Sequence, residues 1–276
     1  MITSTIAKQE DGSIQINFVV PFSEIKQAQD KTIAEYAKEA EIPGFRKGKA
    51  PVSKVAEKIP QNTLIEKSLA QILPKALSDA IKKHDIKPAI YPRFELISAK
   101  ENQDWQIRAV TCELPKVELG DYKKIIPGEI RAASLKKELS KEEKEQLVIK
   151  TLLESTKINI PSVLVEEEVN SRLSSLLSRL EKLGLALEGY LKSLGKTSDQ
   201  LRDEYEKGAK DAISLDLILN KVVEDQDIQA DPKQVEEALK LRKQANPKEE
   251  DREGQKRLVE SILRRNSALE KLVNLS

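Results

Sequence analysis

Residues 44–51, Gly-Phe-Arg-Lys-Gly-Lys-Ala-Pro, place one aromatic ring and three cations in a segment bracketed by glycines. Glycine permits positive φ and the close approach of a partner, and Pro43 and Pro51 fix φ on either side. We therefore expect a stiff basic loop between two helices. Its guanidinium can pair with a phosphate, its lysines add point charges, and its phenyl ring can stack on a base. This chemistry favours RNA binding, and a solvated connector is the alternative explanation.

The other residue types that could do chemistry give no coherent site. His84 is the only histidine, and its setting, Lys82-Lys83-His84-Asp85, is typical of a helix end. Residues 166–168 are three glutamates, but consecutive helical residues point in different directions, which favours a solvated face. Cys112 is the single cysteine, so an intramolecular disulfide is excluded, and we expect it to be a strand residue, packed inward or without a role. No glycine-rich nucleotide-binding loop is present, and we expect no catalytic residue, metal or cofactor.

Composition places any nucleic-acid contact in one region. The 276 residues carry 47 Lys and Arg against 46 Asp and Glu, a net charge of +1, so the chain as a whole is no polycation. Between Arg46 and Lys58, however, five cations face only Glu57,. With 34% charged and 4% aromatic residues, the composition favours long exposed helices over a compact enzyme with a deep pocket. The N-terminus lacks a signal-peptide pattern and no stretch approaches the roughly 18 apolar residues of a membrane span, which predicts a cytosolic protein.

The first 120 residues predict an α+β domain that positions this loop. Residues 2–8 and 13–20 alternate as strands do, and Asp11-Gly12 between them indicates a hairpin with a two-residue turn. Helical periodicity then runs from Ile25 to Ala40, a short helix begins near Pro51, and a longer one spans residues 64–81, where Pro74 predicts a kink or a restart. Two further strands are predicted at residues 93–99 and 105–114.

From Ser140 onward the pattern is helical throughout. Capping boxes are predicted at Ser140-Lys141-Glu142-Glu143 and Thr197-Ser198-Asp199-Gln200. Gly184 ends one helix, Asp231-Pro232 begins another, and Asn246-Pro247 interrupts the pattern before a last helix. The sequence therefore predicts an all-α C-terminal domain.

The string Gly-Phe-Arg-Lys-Gly-Lys-x-Pro, between two helices and after an Ile-Pro step, resembles the ribosome-docking signature of bacterial trigger factor. The predicted order of elements over residues 1–120 is similar to the N-terminal domain of that family. Residues 157–166 and 213–219 resemble runs in its C-terminal domain, a body of helices with two arms, although an unrelated helical bundle would have similar leucine spacing. The resemblance implies an α+β fold: an N-terminal α+β ribosome-binding domain at 1–120 and an all-α chaperone domain with helical arms at 140–276.

The family normally carries an FKBP-like prolyl isomerase domain between these halves. Here residues 121–139 leave only about twenty positions, whereas a sheet-based domain below roughly 40 residues cannot bury enough surface to fold alone. We therefore interpret 121–139 as a linker and expect no isomerase domain and no enzyme activity.

The resemblance implies an ATP-independent chaperone that holds nascent or unfolded polypeptides at the ribosomal exit tunnel. Its partners would be ribosomal RNA, the ribosomal protein near the exit tunnel and the emerging chain, and no membrane partner is expected. A homodimer away from the ribosome is a further possibility. Ribosome contact would fall to Gly44, Phe45, Arg46, Lys47, Gly48 and Lys49. Client contact could involve Leu185, Leu187, Leu191 and Leu194, for which core packing is the competing explanation. Two alternatives remain: an RNA-binding ribosome-assembly factor and an envelope chaperone of the SurA type.

Overall fold

The chain folds into two compact units. The computed structural model describes residues 1–41, 43, 45–100, 102–135, 137–245 and 252–275. Unit 1 comprises Met1–Leu114 with Pro161–Leu164, and unit 2 comprises Pro115–Ile160 with Val165–Ser276. The expected boundary near Gly120 therefore lies a few residues too late.

Unit 1 is a four-stranded antiparallel sheet with helices packed against it, in the strand order β1-β2-β4-β3. Its elements are β1 (Thr3–Lys8), β2 (Ser13–Val20), α1 (Phe22–Glu39), α2 (Val52–Ala56), α3 (Gln61–His84), β3 (Arg93–Ser98) and β4 (Trp105–Cys112). Alternate residues of the two central strands point to the same face: Ile16 lies opposite Ala109 and Phe18 opposite Ile107. These four are buried with the apolar faces of α1 and α3 in one core,.

The β1–β2 connection is longer than the predicted two-residue turn. Lys8 pairs with Ile14, which leaves five residues between them. The Gln9 amide donates to the Ser13 carbonyl at 2.8 Å and the Gly12 amide to the Gln9 carbonyl at 3.1 Å. The Asp11 carboxylate accepts from the Ser13 amide and hydroxyl, both at 2.9 Å. The hairpin is confirmed, but its turn is organised by the Asp11 side chain as well as by Gly12, whose φ is +86°.

Helix α3 runs through Pro74 without a restart. A proline inside a helix removes one backbone hydrogen bond, and this loss is offset by the packing of its neighbours. Ile72, Leu73, Ala76 and Leu77 flank Pro74 and are all buried in the unit 1 core. Of the two outcomes expected at Pro74, a kink or a restart, the restart does not occur.

Within the described residues, the regular secondary structure of unit 2 is entirely helical. Its elements are α4 (Tyr122–Ser134), α5 (Lys141–Ser155), α6 (Ser162–Lys182, whose first three residues group with unit 1), α7 (Leu187–Leu194), α8 (Ser198–Asp225), α9 (Pro232–Ala245) and α10 (Arg252–Val273). The main core lies among α4, α5, α8 and α10, and a second cluster joins α6 to α8 through Val165, Val169 and Ala209. The fold class, an α+β N-terminal part followed by a helical C-terminal part, is confirmed.

The linker interpretation of residues 121–139 is wrong for most of that segment. Residues 122–134 form α4, and Tyr122, Ile126 and Ile130 are buried in the main core of unit 2. Because these residues are spaced four apart, they form one apolar stripe along α4. This stripe packs the segment against the following helices.

Both predicted capping boxes are confirmed. The Ser140 hydroxyl accepts from the Glu143 amide at 3.2 Å, and the Glu143 carboxylate accepts from the Ser140 amide at 3.0 Å. Thr197 and Gln200 form the same pair of bonds at 3.2 and 2.9 Å. The predicted interruption at Asn246-Pro247 lies outside the described residues.

The Asp11 carboxyl makes the stability of unit 1 depend on pH. Burial alone would raise its pKa, but hydrogen bonds from Ser162 and Ser13 outweigh that effect and lower the pKa to about 2 from the usual 3.8. A group with a depressed pKa stabilises the fold above its unfolded value and loses that contribution as pH falls through the folded value. We expect the free energy of unfolding of the wild type to fall more steeply than that of Asp11→Asn between pH 4 and pH 2.

Urea denaturation at a series of pH values, followed by the fluorescence of the single tryptophan, Trp105, measures this difference. Asp79→Asn, which removes an exposed aspartate of the same unit, is the control and should leave the pH profile of the wild type unchanged. Parallel profiles for the wild type and Asp11→Asn would contradict the assignment.

Candidate functional site

The basic loop lies between α1 and α2 and is anchored at its base by a small apolar cluster. Ala50 and Val55 are buried there against Ala37, Ala40 and Ile59. Because this cluster joins the end of α1 to α2, the two ends of the loop are held close together. The loop is therefore a projection from two fixed helices.

The backbone of the loop tip is fixed by a tight turn. The Lys49 amide donates to the Arg46 carbonyl at 2.9 Å, and Gly48, the third residue of the turn, has a φ of +72°. Among the four turn residues, only this glycine has a positive φ, as in a type II turn.

Gly48 also sits directly against the end of α1. Its amide donates to the Ala40 carbonyl at 3.2 Å. A Cβ at this position would lie 2.6 Å from the Lys38 carbonyl oxygen, which is closer than real contacts allow. Both the conformation and the space therefore require glycine at residue 48.

The side chains of the tip point into solvent. Phe45, Arg46, Lys47 and Lys49 are all exposed, and Phe45 keeps 45% of its surface accessible. A phenyl ring that remains so accessible gains little from the protein's own core, so it is available to a partner. Gly44 lies outside the described residues.

Nearby carboxylates neutralise only part of the positive charge. Lys47 Nζ lies 3.6 Å from Glu41 Oε1, and Lys54 Nζ lies 3.2 Å from Glu57 Oε2, with all four side chains largely exposed. Exposed pairs of this kind contribute little and exchange readily. Within the described residues, no carboxylate lies within 4 Å of Arg46 or Lys49, so these two cations are free to bind an anion.

The predicted client residues are separated by the structure into exposed and buried positions. Leu185 and Leu194 are 54% and 43% exposed, whereas Leu191 is buried and Leu187 is half-buried. The suggestion that Leu191 contacts a client is therefore wrong for the folded state. Its burial follows from the apolar face of α7, which packs inward.

The sequence analysis did not include Leu183 among the candidate client residues, although it is 71% exposed. It precedes Gly184, whose φ is +68°, and the Leu185 amide donates back to the Leu180 carbonyl at 2.9 Å. This is the hydrogen bond of a Schellman motif. The motif turns the chain at the end of α6 and leaves Leu183 and Leu185 on the surface, an arrangement that Leu-Gly-Leu at a helix end could have indicated.

The two other residues considered for chemistry, His84 and Cys112, have surroundings that fit a role in the fold. His84 ends α3, with its Nε2 3.2 Å from the Ser4 hydroxyl. Cys112 is buried in β4, and burial, with a smaller effect of the Asp11 charge, raises its pKa to about 11. Its thiol is therefore protonated and unreactive near neutral pH.

Among the described residues, no three or more His, Cys, Asp or Glu side chains are arranged to hold a metal ion. None of the helices in the described ranges combines the length and apolarity needed to cross a membrane.

Comparison with known proteins identifies two overlapping family matches. Residues 2–147 match the family described as bacterial trigger factor protein, and residues 121–274 match the trigger factor C-terminus. Since the first match alone covers more than half of the chain, the similarity is not confined to the basic loop.

Curated relatives are trigger factors from several bacteria. That of Streptococcus agalactiae serotype Ia is 34% identical over 108 residues, which cover 39% of this chain and 25% of the relative. That of Streptococcus mutans serotype c is 26% identical over 202 residues, covering 73% of this chain and 42% of the relative. Matched regions thus span about a quarter to two fifths of the curated relatives.

The fold is similar to that of a solved trigger factor chaperone. That structure concerns promiscuous substrate recognition in the folding and assembly activities of the chaperone. The two superpose with a TM-score of 0.65 at 15% sequence identity, covering 99% of this chain and 100% of the other. This likeness concerns the fold.

The tight fit of Gly48 predicts that Gly48→Ala loosens the loop. Left-handed backbone costs roughly 1–2 kcal/mol for a residue with a Cβ, and the contact with the Lys38 carbonyl adds to that cost. We expect trypsin to cleave after Arg46, Lys47 or Lys49 roughly 5- to 30-fold faster in the variant. Timed proteolysis with mass spectrometry measures this rate.

Gly195→Ala is the matched control. Gly195 also has a positive φ, 62°, but apart from its chain neighbours no atom of the described residues lies within 4 Å of the position of its added Cβ. This variant should leave cleavage of the basic loop at the wild-type rate. Equal cleavage of the loop in Gly48→Ala and the wild type would show that the contact with α1 does not hold the tip.

Proposed function

Because the chain belongs to the bacterial trigger factor family, we propose that it is an ATP-independent, ribosome-associated chaperone. It binds nascent or unfolded polypeptides near the exit tunnel and limits their aggregation. The observation that carries this proposal is the rigid loop tip, which presents Phe45, Arg46 and two lysines to solvent on a backbone fixed by Gly48. A cytosolic location follows from the proposed ribosomal partner.

The chemistry of the tip suits ribosomal RNA and the protein beside it. Arg46 can bind a phosphate with two parallel hydrogen bonds, and Lys47 and Lys49 add mobile charges. Phe45 can stack on an unpaired base or fill an apolar crevice. Since the backbone is already ordered, binding costs little conformational entropy.

Unit 2 is the proposed client-binding part. Leu183, Leu185 and Leu194 are exposed around two helix ends, where an unfolded chain can reach them without local opening. A few such contacts bind weakly and dissociate quickly, which allows a client to be released without ATP.

We also propose that this chain does not catalyse prolyl isomerisation. The two family matches overlap over residues 121–147, and residues 122–134 are occupied by α4. An isomerase assay with a proline tetrapeptide should therefore give the uncatalysed rate at micromolar protein. A rate that rises in proportion to protein concentration would contradict this part of the proposal.

Removing the side chains of the tip should abolish ribosome binding. We expect Phe45→Ala/Arg46→Ala/Lys47→Ala to lose co-sedimentation with ribosomes, because the variant lacks the ring and two of the cations while both cores stay intact. The matched control is Tyr91→Ala/Lys67→Ala/Lys75→Ala, which removes one exposed ring and two exposed cations elsewhere in unit 1. Binding by the loop variant at the control's level would refute the docking assignment.

Single substitutions in the loop distinguish charge from packing. Arg46→Ala and Lys49→Ala should each reduce the slope of log affinity against log salt concentration by about 1. Phe45→Ala should lower the affinity and leave that slope unchanged.

The client surface can be tested separately from the ribosome. Leu185→Ser/Leu194→Ser should reduce suppression of aggregation of a denatured client, because two exposed apolar contacts are lost. Light scattering during dilution from denaturant measures this, and Ile97→Ser/Leu114→Ser, at exposed positions of unit 1, is the control. Should neither the wild type nor any variant suppress aggregation, the chaperone function is wrong, whatever the result of ribosome sedimentation.

A further inference from the structure

Helix α1 leaves the core of unit 1 at Thr32. Its buried residues are Ile25, Ala28 and Thr32, which form one stripe at steps of three and four residues. Every residue of α1 is described, and none from 33 to 39 is buried. The second half of α1, which carries the basic loop at its end, therefore extends beyond the core that holds the first half.

Little packing supports this second half from the side of α3. A groove of about 540 Å³ lies between α1, α2 and the start of α3, lined by Ile33 on α1 and by Ala56, Ile59 and Leu64 opposite. The small apolar cluster at the base of the loop joins the end of α1 to α2, but it is separate from the main core of unit 1. The direction of the loop relative to the sheet therefore depends on how α1 is held at Thr32.

This last buried position of α1 makes a polar contact, unlike the two before it. The Thr32 hydroxyl donates to the Ala28 carbonyl of its own helix at 2.9 Å and accepts from the Gln71 side-chain amide of α3 at 3.1 Å. Thr32 is 1% exposed, whereas Gln71 is half-buried. A hydroxyl at this depth costs free energy to bury unless it is hydrogen-bonded, and here both its proton and a lone pair are used.

A hydrogen bond at this point holds α1 more narrowly than an apolar contact would. Apolar contacts are non-directional, so a helix can roll or slide slightly on them at little cost, whereas a hydrogen bond weakens steeply as its geometry departs from the optimum. Roughly 12 Å of helix separates Thr32 from Ala40, so a rotation of about 5° at Thr32 would move the Ala40 carbonyl by about 1 Å. The Gly48 amide is bonded to that carbonyl, so the loop tip would move with it.

We propose that Thr32 and Gln71 are positioning residues for ribosome docking, because their hydrogen bond sets the direction in which the basic loop projects from unit 1. The inference rests on the proposed ribosomal function and adds two residues that belong neither to the loop nor to the cluster at its base. Both residues act through α1 and make no contact with the partner themselves.

Two substitutions of Thr32 separate positioning from stability. Thr32→Val keeps the shape of the side chain and removes the hydroxyl. Because the half-buried Gln71 amide can then reach water, the urea midpoint should stay at or above that of the wild type, whereas ribosome affinity in co-sedimentation should fall about threefold to tenfold. Thr32→Ser keeps the hydroxyl and removes a buried methyl group, so its urea midpoint should fall while its ribosome affinity stays at the wild-type value.

The matched control is Ser68→Ala on α3. The Ser68 hydroxyl is also buried, but it donates to the Leu64 carbonyl of its own helix at 2.7 Å, so its removal leaves the bond between α1 and α3 in place and should not change ribosome affinity. Gln71→Met should weaken docking as Thr32→Val does. The double variant Thr32→Val/Gln71→Met should weaken it no further, because both changes remove the same bond.

The direction of the loop can also be measured without ribosomes. Spin labels at Lys47→Cys and Asn17→Cys report the distance from the loop to the central strand β2 by pulsed electron paramagnetic resonance, and the native Cys112 is buried and therefore stays unlabelled. Thr32→Val should shift or broaden this distance distribution by about 1 to 2 Å. Thr32→Ser and Ser68→Ala should leave it unchanged.

The outcomes separate this inference from the proposed function. Ribosome affinities that follow the urea midpoints, with Thr32→Ser weaker than Thr32→Val, would overturn the positioning role, as would wild-type docking by Thr32→Val. If the wild type itself does not sediment with ribosomes, the docking function is wrong and the distance distributions decide alone. Identical distributions in the wild type and Thr32→Val would then refute the inference, and a shifted or broader one in Thr32→Val would support the role of this hydrogen bond in directing the loop.

Discussion

The contact between Gly48 and the last turn of α1 is the constraint on which the candidate site depends. A glycine with a φ of +72° allows the tip to lie against the Lys38 and Ala40 carbonyls, where any side chain would collide. Orphan carbonyls at a helix end need donors, and the Gly48 amide supplies one to Ala40 at 3.2 Å. The same hydrogen bond that completes the helix therefore also fixes the direction in which Phe45 and Arg46 project.

In unit 2, a cluster of polar contacts holds the start of α4 to the end of α8. The Tyr122 hydroxyl donates to Asp225 Oδ2 at 2.6 Å, and Lys123 Nζ lies 2.6 Å from the same oxygen. Burial, together with the hydrogen bond to Asp225, raises the pKa of Tyr122, while the hydrogen bonds from Lys123 and Tyr122 lower the pKa of Asp225. Both shifts hold the pair as phenol and carboxylate at neutral pH. The segment after unit 1 is thus attached to the end of α8 by packing and by charge.

Local sequence signals predicted the features that depend on local chemistry. The hairpin, both capping boxes and the exposed loop between α1 and α2 follow from residues within a few positions of one another. Features that depend on distant packing were missed. Residues 121–139 were interpreted as a linker because they are too few for an isomerase domain, and the helical stripe of Tyr122, Ile126 and Ile130 within them was missed. The need for glycine at residue 48 was expected from the turn, but the collision with Lys38, ten residues earlier, is visible only in the fold.

The near-neutral charge of the chain hides an uneven distribution that matters for binding. Along the helices, oppositely charged residues four apart neutralise one another, as in Arg172 with Glu168 at 2.7 Å and Lys210 with Glu206 at 2.7 Å,. A net charge of +1 gives weak attraction to nucleic acid at long range, and physiological salt screens exposed charges beyond about 8 Å. The cations of the loop can therefore act only once the tip is close to a phosphate. In the proposed complex, selectivity would then depend on whether a surface can also accept the ring of Phe45, which is 45% exposed.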